Sequence, residues 1–273
     1  ARRLEPDSHQ PEPLRMRRNA LVIWTAATLC FVAVAALSGC ATSGSEKGDS
    51  VRDADWHYKM ASGYFENHQI YPAIRSLNKA LELDPDKAKA HFLLGFIYSG
   101  RREYSKAIQH YKDALEIKPN YFTAKNNLGS VYLSMERWED AQKIFTSLVE
   151  EPMYPTPEMA HNNVGWALYN QRKYEEALEH FKMAVFLKPQ MCLAYNNIGM
   201  THREMGNTSK AIDQFEKALE KCPNNYAEPH FRLGKIMQAR GNYGQAQQHF
   251  QRCSKMLPDA NLGERCRQYL KVR

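Results

Sequence analysis

The side chains whose types and spacing suit chemistry in this sequence are its cysteines, its histidines and a set of paired asparagines. Of six cysteines, Cys30 and Cys40 fall in the first forty residues, and Cys192, Cys222, Cys253 and Cys266 fall in the last third. None forms a C-x-x-C pair, so a thiolate zinc site is not expected. Four later cysteines suit disulfides in an oxidising compartment; four buried thiols packing as small apolar residues is the other reading. His57, His91, His161 and His230 recur at one place of a repeating frame. Equivalent places in neighbouring repeats are too distant to share an ion, so they read as packing residues and no metal is expected. The sequence holds no G-x-S-x-G, Walker loop or H-E-x-x-H. Glu175, Glu176 and Glu216 fall on faces expected to be solvated, and no enzyme is expected.

The frame that positions these residues is clearest from Ala194 to Pro223, which reads as a helix, a turn at Gly206-Asn207 and a second helix ended by proline. Its skeleton of Gly199, Ala211, Ala218 and Pro223 returns as Gly95, Ala107, Ala114 and Pro119, and as Gly165, Ala177, Ala184 and Pro189. Leu-Gly, aromatic, Ala and Pro at set offsets, with a period near 34, resemble the tetratricopeptide (TPR) repeat. Six copies fit between residues 54 and 258, and Pro152 to Pro157 lengthens the link between the third and fourth by two residues. Gly or Ala at the eighth place, and Ala in the second helix, let backbones approach while Leu, Tyr and Phe fill the seams. No single repeat buries its apolar face alone, so the six must stack. The expected fold is all-α, a right-handed TPR superhelix of six helix-turn-helix repeats. A capping helix over 259–273 would bury Leu262, Cys266, Tyr269 and Leu270 and expose Arg265, Arg267 and Lys271.

Repeat geometry proposes two cysteine pairs. Cys192 opens the first helix of repeat five and Cys222 closes its second, and antiparallel helices bring those ends together. Cys253 lies late in repeat six, under the cap that carries Cys266. The expected disulfides are therefore Cys192 to Cys222 and Cys253 to Cys266.

The places that line a TPR groove are filled by Tyr58, Phe65, Phe92 and Phe96 in the first two repeats, and by Asn126, Asn127 and Leu133 in the third. Asn162, Asn163, Trp166 and Tyr169 follow in repeat four, then Leu193, Asn196, Asn197 and Met200 in repeat five. Repeat six offers Arg232 and Lys235. The groove is expected to be aromatic at its start, amide-lined in the middle and basic at its end. Asn127, Asn163 and Asn197 recur at the sixth place and resemble the ladders of peptide-binding TPRs, where an amide can both donate to and accept from a peptide unit. Local contacts made by common TPR asparagines are the alternative.

At 43% hydrophobic and 25% charged the composition is globular, which excludes a disordered chain. The net charge of +7 includes no basic block longer than Arg101-Arg102, so no nucleic-acid partner is expected. Residues 1–15 are polar, proline-rich and aperiodic, and translation is expected to start at Met16. Met16-Arg17-Arg18-Asn19, an apolar run from Ala20 to Leu37 and small residues before Cys40 read as a secretory signal peptide, with a membrane span as the alternative. Leu37-Ser38-Gly39-Cys40 resembles a bacterial lipobox. The resemblance implies lipid on Cys40, a tether over 41–53 and, with Ala41 next, the inner leaflet of the outer membrane facing the periplasm.

Signal peptide, lipobox, short tether, six TPRs and a cap, with helices reading N-N-L-G, N-N-V-G and N-N-I-G, resemble the PilF/PilW/Tgl family of type IV pilus pilotins. That resemblance covers the chain from Met16 onward. It implies a monomeric outer-membrane lipoprotein that binds secretin subunits and promotes their multimerisation, with no cofactor beyond the lipid on Cys40. A TPR lipoprotein scaffolding envelope enzymes, such as peptidoglycan hydrolases or proteases, is the other reading.

Overall fold

A computed structural model describes residues 43–224, 226–257 and 260–271. The leader, Met16 and Cys40 lie outside the described residues. The chain divides into two units, 1–50 and 51–273, and the repeats belong to the second. The described residues form helices and no strands.

The helices pair as α1 (Ser43–Glu66) with α2 (Ile70–Leu83), α3 (Ala88–Gly100) with α4 (Tyr104–Ile117), and α5 (Phe122–Ser134) with α6 (Trp138–Val149). After the longer link come α7 (Pro157–Asn170) with α8 (Tyr174–Leu187), α9 (Cys192–Glu204) with α10 (Thr208–Lys221), and α11 (Glu228–Ala239) with α12 (Tyr243–Met256). The cap is α13 (Asn261–Lys271). From α3 onward each helix packs on the next, and α3 also meets α5, as α7 meets α9. This is the TPR superhelix expected from the spacing.

Each repeat is closed by one close approach. A Cβ on Gly95, Gly129, Gly165, Gly199 or Gly234 would fall 2.6–2.7 Å from the ring of Tyr111, Phe145, Phe181, Phe215 or Phe250 respectively. Those five rings, each sixteen residues on, are fully buried. Repeat one carries Ala61 instead, and the residue sixteen on is Leu77; both are buried in one cluster. The smaller partner leaves room for a methyl group.

The turn inside each repeat needs a left-handed residue to end the first helix. Gly206 (φ 79°) and Gly241 (φ 76°) supply it in repeats five and six. Repeats one to four use His68, Arg102, Glu136 and Arg172 at φ 58–63°, a conformation costing about 1–2 kcal/mol without glycine. The longer link is anchored by buried Tyr154, whose ring meets Phe122 edge-on at 5.7 Å.

One boundary differs from the sequence reading. Helix α1 begins at Ser43, inside the stretch expected as tether. No proline interrupts 43–53, and adding residues to an existing helix is far cheaper than nucleating one. In the cap, Leu262, Cys266, Tyr269 and Leu270 do face the core, with Tyr269 stacked on Phe250 at 4.9 Å. Arg265 is exposed as expected, and its guanidinium also lies over the Phe231 ring at 4.5 Å, a cation–π contact.

Candidate functional site

Three patches lie along the superhelix, two at groove places and a third that joins Lys235 to residues at helix ends. At the first two repeats, Phe65 meets Phe96 edge-on at 5.7 Å, and Phe92 lies 5.0 Å from Tyr121 and 6.5 Å from Phe96. Tyr58 packs partly buried in the adjoining cluster. Phe96 remains 46% exposed, so this patch offers apolar area to a partner.

The central patch is a pocket of 220 Å³ lined by Asn162, Asn163 and Trp166 of α7 and by Leu193 and Asn197 of α9. Helix α7 presents them because Pro157 begins it without needing a backbone donor, while Ala160, Val164, Ala167 and Leu168 turn inward. Trp166 stacks on Tyr169 at 5.3 Å, 12° from parallel. Burial raises the Tyr169 phenol above its ordinary pKa, with Glu204 adding to the effect, so the hydroxyl stays a neutral donor.

The asparagines are not equivalent. Asn197 is buried and donates through Nδ2 to Asn162 Oδ1 at 2.9 Å, joining α9 to α7. Burial pushes the pKa of the Tyr111 hydroxyl up to about 12, and neighbouring Asn127 opposes the shift. Asn196 is buried, its Nδ2 3.5 Å from Met200 Sδ and its Oδ1 without a protein partner. Asn126 and Asn163 are half-buried. Of the recurring sixth-place amides, Asn197 bonds Asn162 and Asn127 lies beside Tyr111, while Asn163, half-buried at the pocket, accepts through Oδ1 from Asn162 Nδ2 at 3.5 Å.

The third patch is a pocket of 340 Å³ lined by Arg203, Thr208, Lys235, Ile236, Ala239 and Arg240. Lys235 was read from the sequence as a groove cation; Arg203 and Arg240 were not. Their signal lay at helix ends, where the groove places do not look. Arg232 is instead tied to Glu228 at 2.6 Å. Three cationic side chains in one lining suit a carboxylate-bearing segment.

Both disulfides are present: Cys192 to Cys222, and Cys253 to Cys266. The first joins the two helices of repeat five, and the second fastens the cap. The histidines hold a relationship that comparing neighbouring repeats missed. His91, His161 and His230 each meet a second histidine nineteen residues on, His110, His180 and His249, with Nδ1 to Nδ1 distances of 3.1, 3.1 and 2.9 Å. The pairs are intra-repeat, and the recurring interval was visible in the sequence.

The helix pairs, their glycine-to-ring approach and the groove define a TPR protein. Tetratricopeptide repeat profiles match residues 62–100, 88–121, 126–191 and 190–259. The chain belongs to the tetratricopeptide repeat family. It is homologous to the type IV pilus assembly protein PilF of Pseudomonas aeruginosa, at 27% identity over 197 residues, covering 69% of this chain and 78% of PilF. The crystal structure of PilW, a widely conserved type IV pilus biogenesis factor, superposes with a TM-score of 0.66 at 23% identity, covering 78% of this chain and 97% of PilW. The Pseudomonas aeruginosa PilF structure gives 0.63 at 18% identity, covering 81% of this chain and 99% of that one.

Proposed function

We propose that this chain is a pilotin: a lipoprotein anchored in the outer membrane through Cys40 that binds secretin subunits in its TPR groove and promotes their multimerisation for type IV pilus assembly. The observation that carries the reading is an aromatic and an amide-lined patch at groove places, with a basic pocket at neighbouring helix ends, on a chain homologous to a type IV pilus assembly protein. The work asked of the protein is binding rather than chemistry.

The chemistry of the patches suits one kind of partner segment. An extended stretch with an apolar side chain for the Trp166 pocket, and an acidic residue for Arg203, Lys235 and Arg240, would engage both pockets. Asn163 can bond a peptide unit without reading its side chain. Aromatic anchors supply most of the energy in such an interface. Acyl chains on Cys40 would confine the groove to the membrane surface and raise its effective concentration there. Masking an apolar segment until oligomerisation buries it would then favour the multimer.

The test is the state of the secretin after deletion of this gene. Loss of heat-resistant multimers with monomer retained, reversed by the wild type but not by Cys40→Ala, supports the reading. Normal multimers overturn it, and a pull-down yielding peptidoglycan hydrolases or proteases would establish the scaffold reading in its place. No helix among the described residues is long and apolar enough to cross a membrane.

A further inference from the structure

Repeat two differs from the other repeats that hold a histidine pair by a third donor. The residue three beyond the second histidine is Asp113 in repeat two, Met183 in repeat four and Arg252 in repeat six. Asp113 Oδ2 lies 3.4 Å from His91 Nδ1 and 3.9 Å from His110 Nδ1, while the two nitrogens are 3.1 Å apart. Two imidazole nitrogens and one carboxylate oxygen converge on one point. Donors on a tetrahedral zinc ion, with bonds of about 2.0–2.1 Å, stand about 3.3 Å from one another. The triangle is already near that size.

The surroundings prepare these atoms as ligands. His91 Nε2 lies 3.2 Å from the Pro85 carbonyl oxygen, which only accepts, so Nε2 carries the proton and Nδ1 presents its lone pair. Gln109 Nε2 donates to Asp113 Oδ1 at 2.7 Å, leaving Oδ2 for the histidines. The Tyr98 ring stacks on His110 at 5.6 Å, 5° from parallel. Outer contacts of this kind orient metal-binding histidines and carboxylates. The side chains are 14%, 23% and 27% exposed for His91, His110 and Asp113, so a hydrated ion can reach them.

We propose that His91, His110 and Asp113 form a binding site for a first-row divalent cation, zinc in preference, with water completing the coordination. The ion would join α3 to α4 and fix α3, whose next residue, Phe92, belongs to the aromatic patch. Without an ion, the same contact is a hydrogen bond from His110 Nδ1–H to His91 Nδ1, as the other pairs can make. Arg252 would repel a cation in repeat six, and Met183 is no ligand for zinc in repeat four. This inference does not depend on the secretin reading.

The test is zinc titration of the untagged full chain in detergent, stripped with chelator, its free thiols alkylated, and read by competition with a chromophoric zinc chelator. One equivalent should bind with micromolar or tighter affinity. Asp113→Asn and His110→Gln should each weaken it at least tenfold, while His180→Gln leaves it unchanged; circular dichroism confirms that each variant is folded. Absence of binding below 100 µM overturns the site, as do equal affinities in Asp113→Asn and the parent, or an equal loss in His180→Gln. Should His110→Gln fail to fold, Asp113→Asn decides alone.

Discussion

The Phe215 ring occupies the space that a Cβ on Gly199 would need, 2.7 Å from where that atom would sit. The same approach recurs in repeats two to six, and repeat one relieves it with Ala61 opposite Leu77. Gly199→Ala should therefore destabilise the protein by about 1–3 kcal/mol, the usual cost of overfilling a packed core. Phe215→Leu alone should cost about 1 kcal/mol or more through the lost ring. The double variant should cost less than the sum, because it rebuilds the repeat-one solution. Strict additivity in urea unfolding would show that the contact does not limit the packing.

Asn163→Ala combined with Trp166→Ala should weaken binding of the partner segment by roughly tenfold to several hundredfold, the range expected for a central aromatic anchor. The fold should persist, since Asn163 is half-buried at the pocket and Trp166 is only partly buried at the edge of the core. Isothermal titration with the proposed secretin segment provides the measurement, and Arg203→Glu with Lys235→Glu tests the basic end. Unchanged affinity in both variants would move the binding site off this face.

The histidine pairs of repeats four and six make stability depend on acid. Burial lowers the pKa of His161 and His180, and lowers that of His249 with help from Arg252. His230 falls to about 4, through burial first and then His249 and Arg252. Glu176 and Glu179 oppose the shift at His180 without reversing it. In the window between those lowered values and the ordinary 6.5, the unfolded chain binds protons that the folded chain refuses, so stability rises with pH. Lowering the pH from 7 to 4.5 should reduce the melting temperature by roughly 5 °C or more. Replacing His230 and His249 together by Phe and Leu should flatten that part of the profile; a profile unchanged by the replacement would assign the acid response elsewhere.

The two disulfides should act on different parts of the solenoid. Cys192→Ala with Cys222→Ala removes a closure of 30 residues within repeat five and should cost about 2–4 kcal/mol. Cys253→Ala with Cys266→Ala releases the cap, so hydrogen exchange should rise first in α12 and α13 while α3 to α8 hold their protection. Uniform exchange along the whole chain would show that the repeats unfold as one body.

Much of the fold was legible because a TPR writes its packing into local spacing. Gly95, Gly129, Gly165, Gly199 and Gly234 mark the close approaches, and the prolines after the second helices mark the stops. The cysteine pairs followed from the same frame. The aromatic patch and the Trp166 pocket also fall at places that periodicity assigns to the groove. The partition of the asparagines was not legible. Whether Asn197 faces a partner or Asn162 depends on how α9 sits against α7, a contact between residues 35 apart. Arg203 and Arg240 were missed because they sit at helix ends rather than at groove places.

By itself, then, the sequence determined the all-α repeat, the order of its helices and which residues face inward, because each depends on interactions within about one repeat length. Only the tertiary structure decided which polar groups are already satisfied and which stay available. It drew His91, His110 and Asp113 to one point, and it turned Asn197 inward while leaving Asn163 half-buried at the pocket. Hydrogen bonding and metal coordination depend on distances of a few ångströms between side chains on different helices. The packing of one helix on another fixes those distances, and linear spacing alone does not.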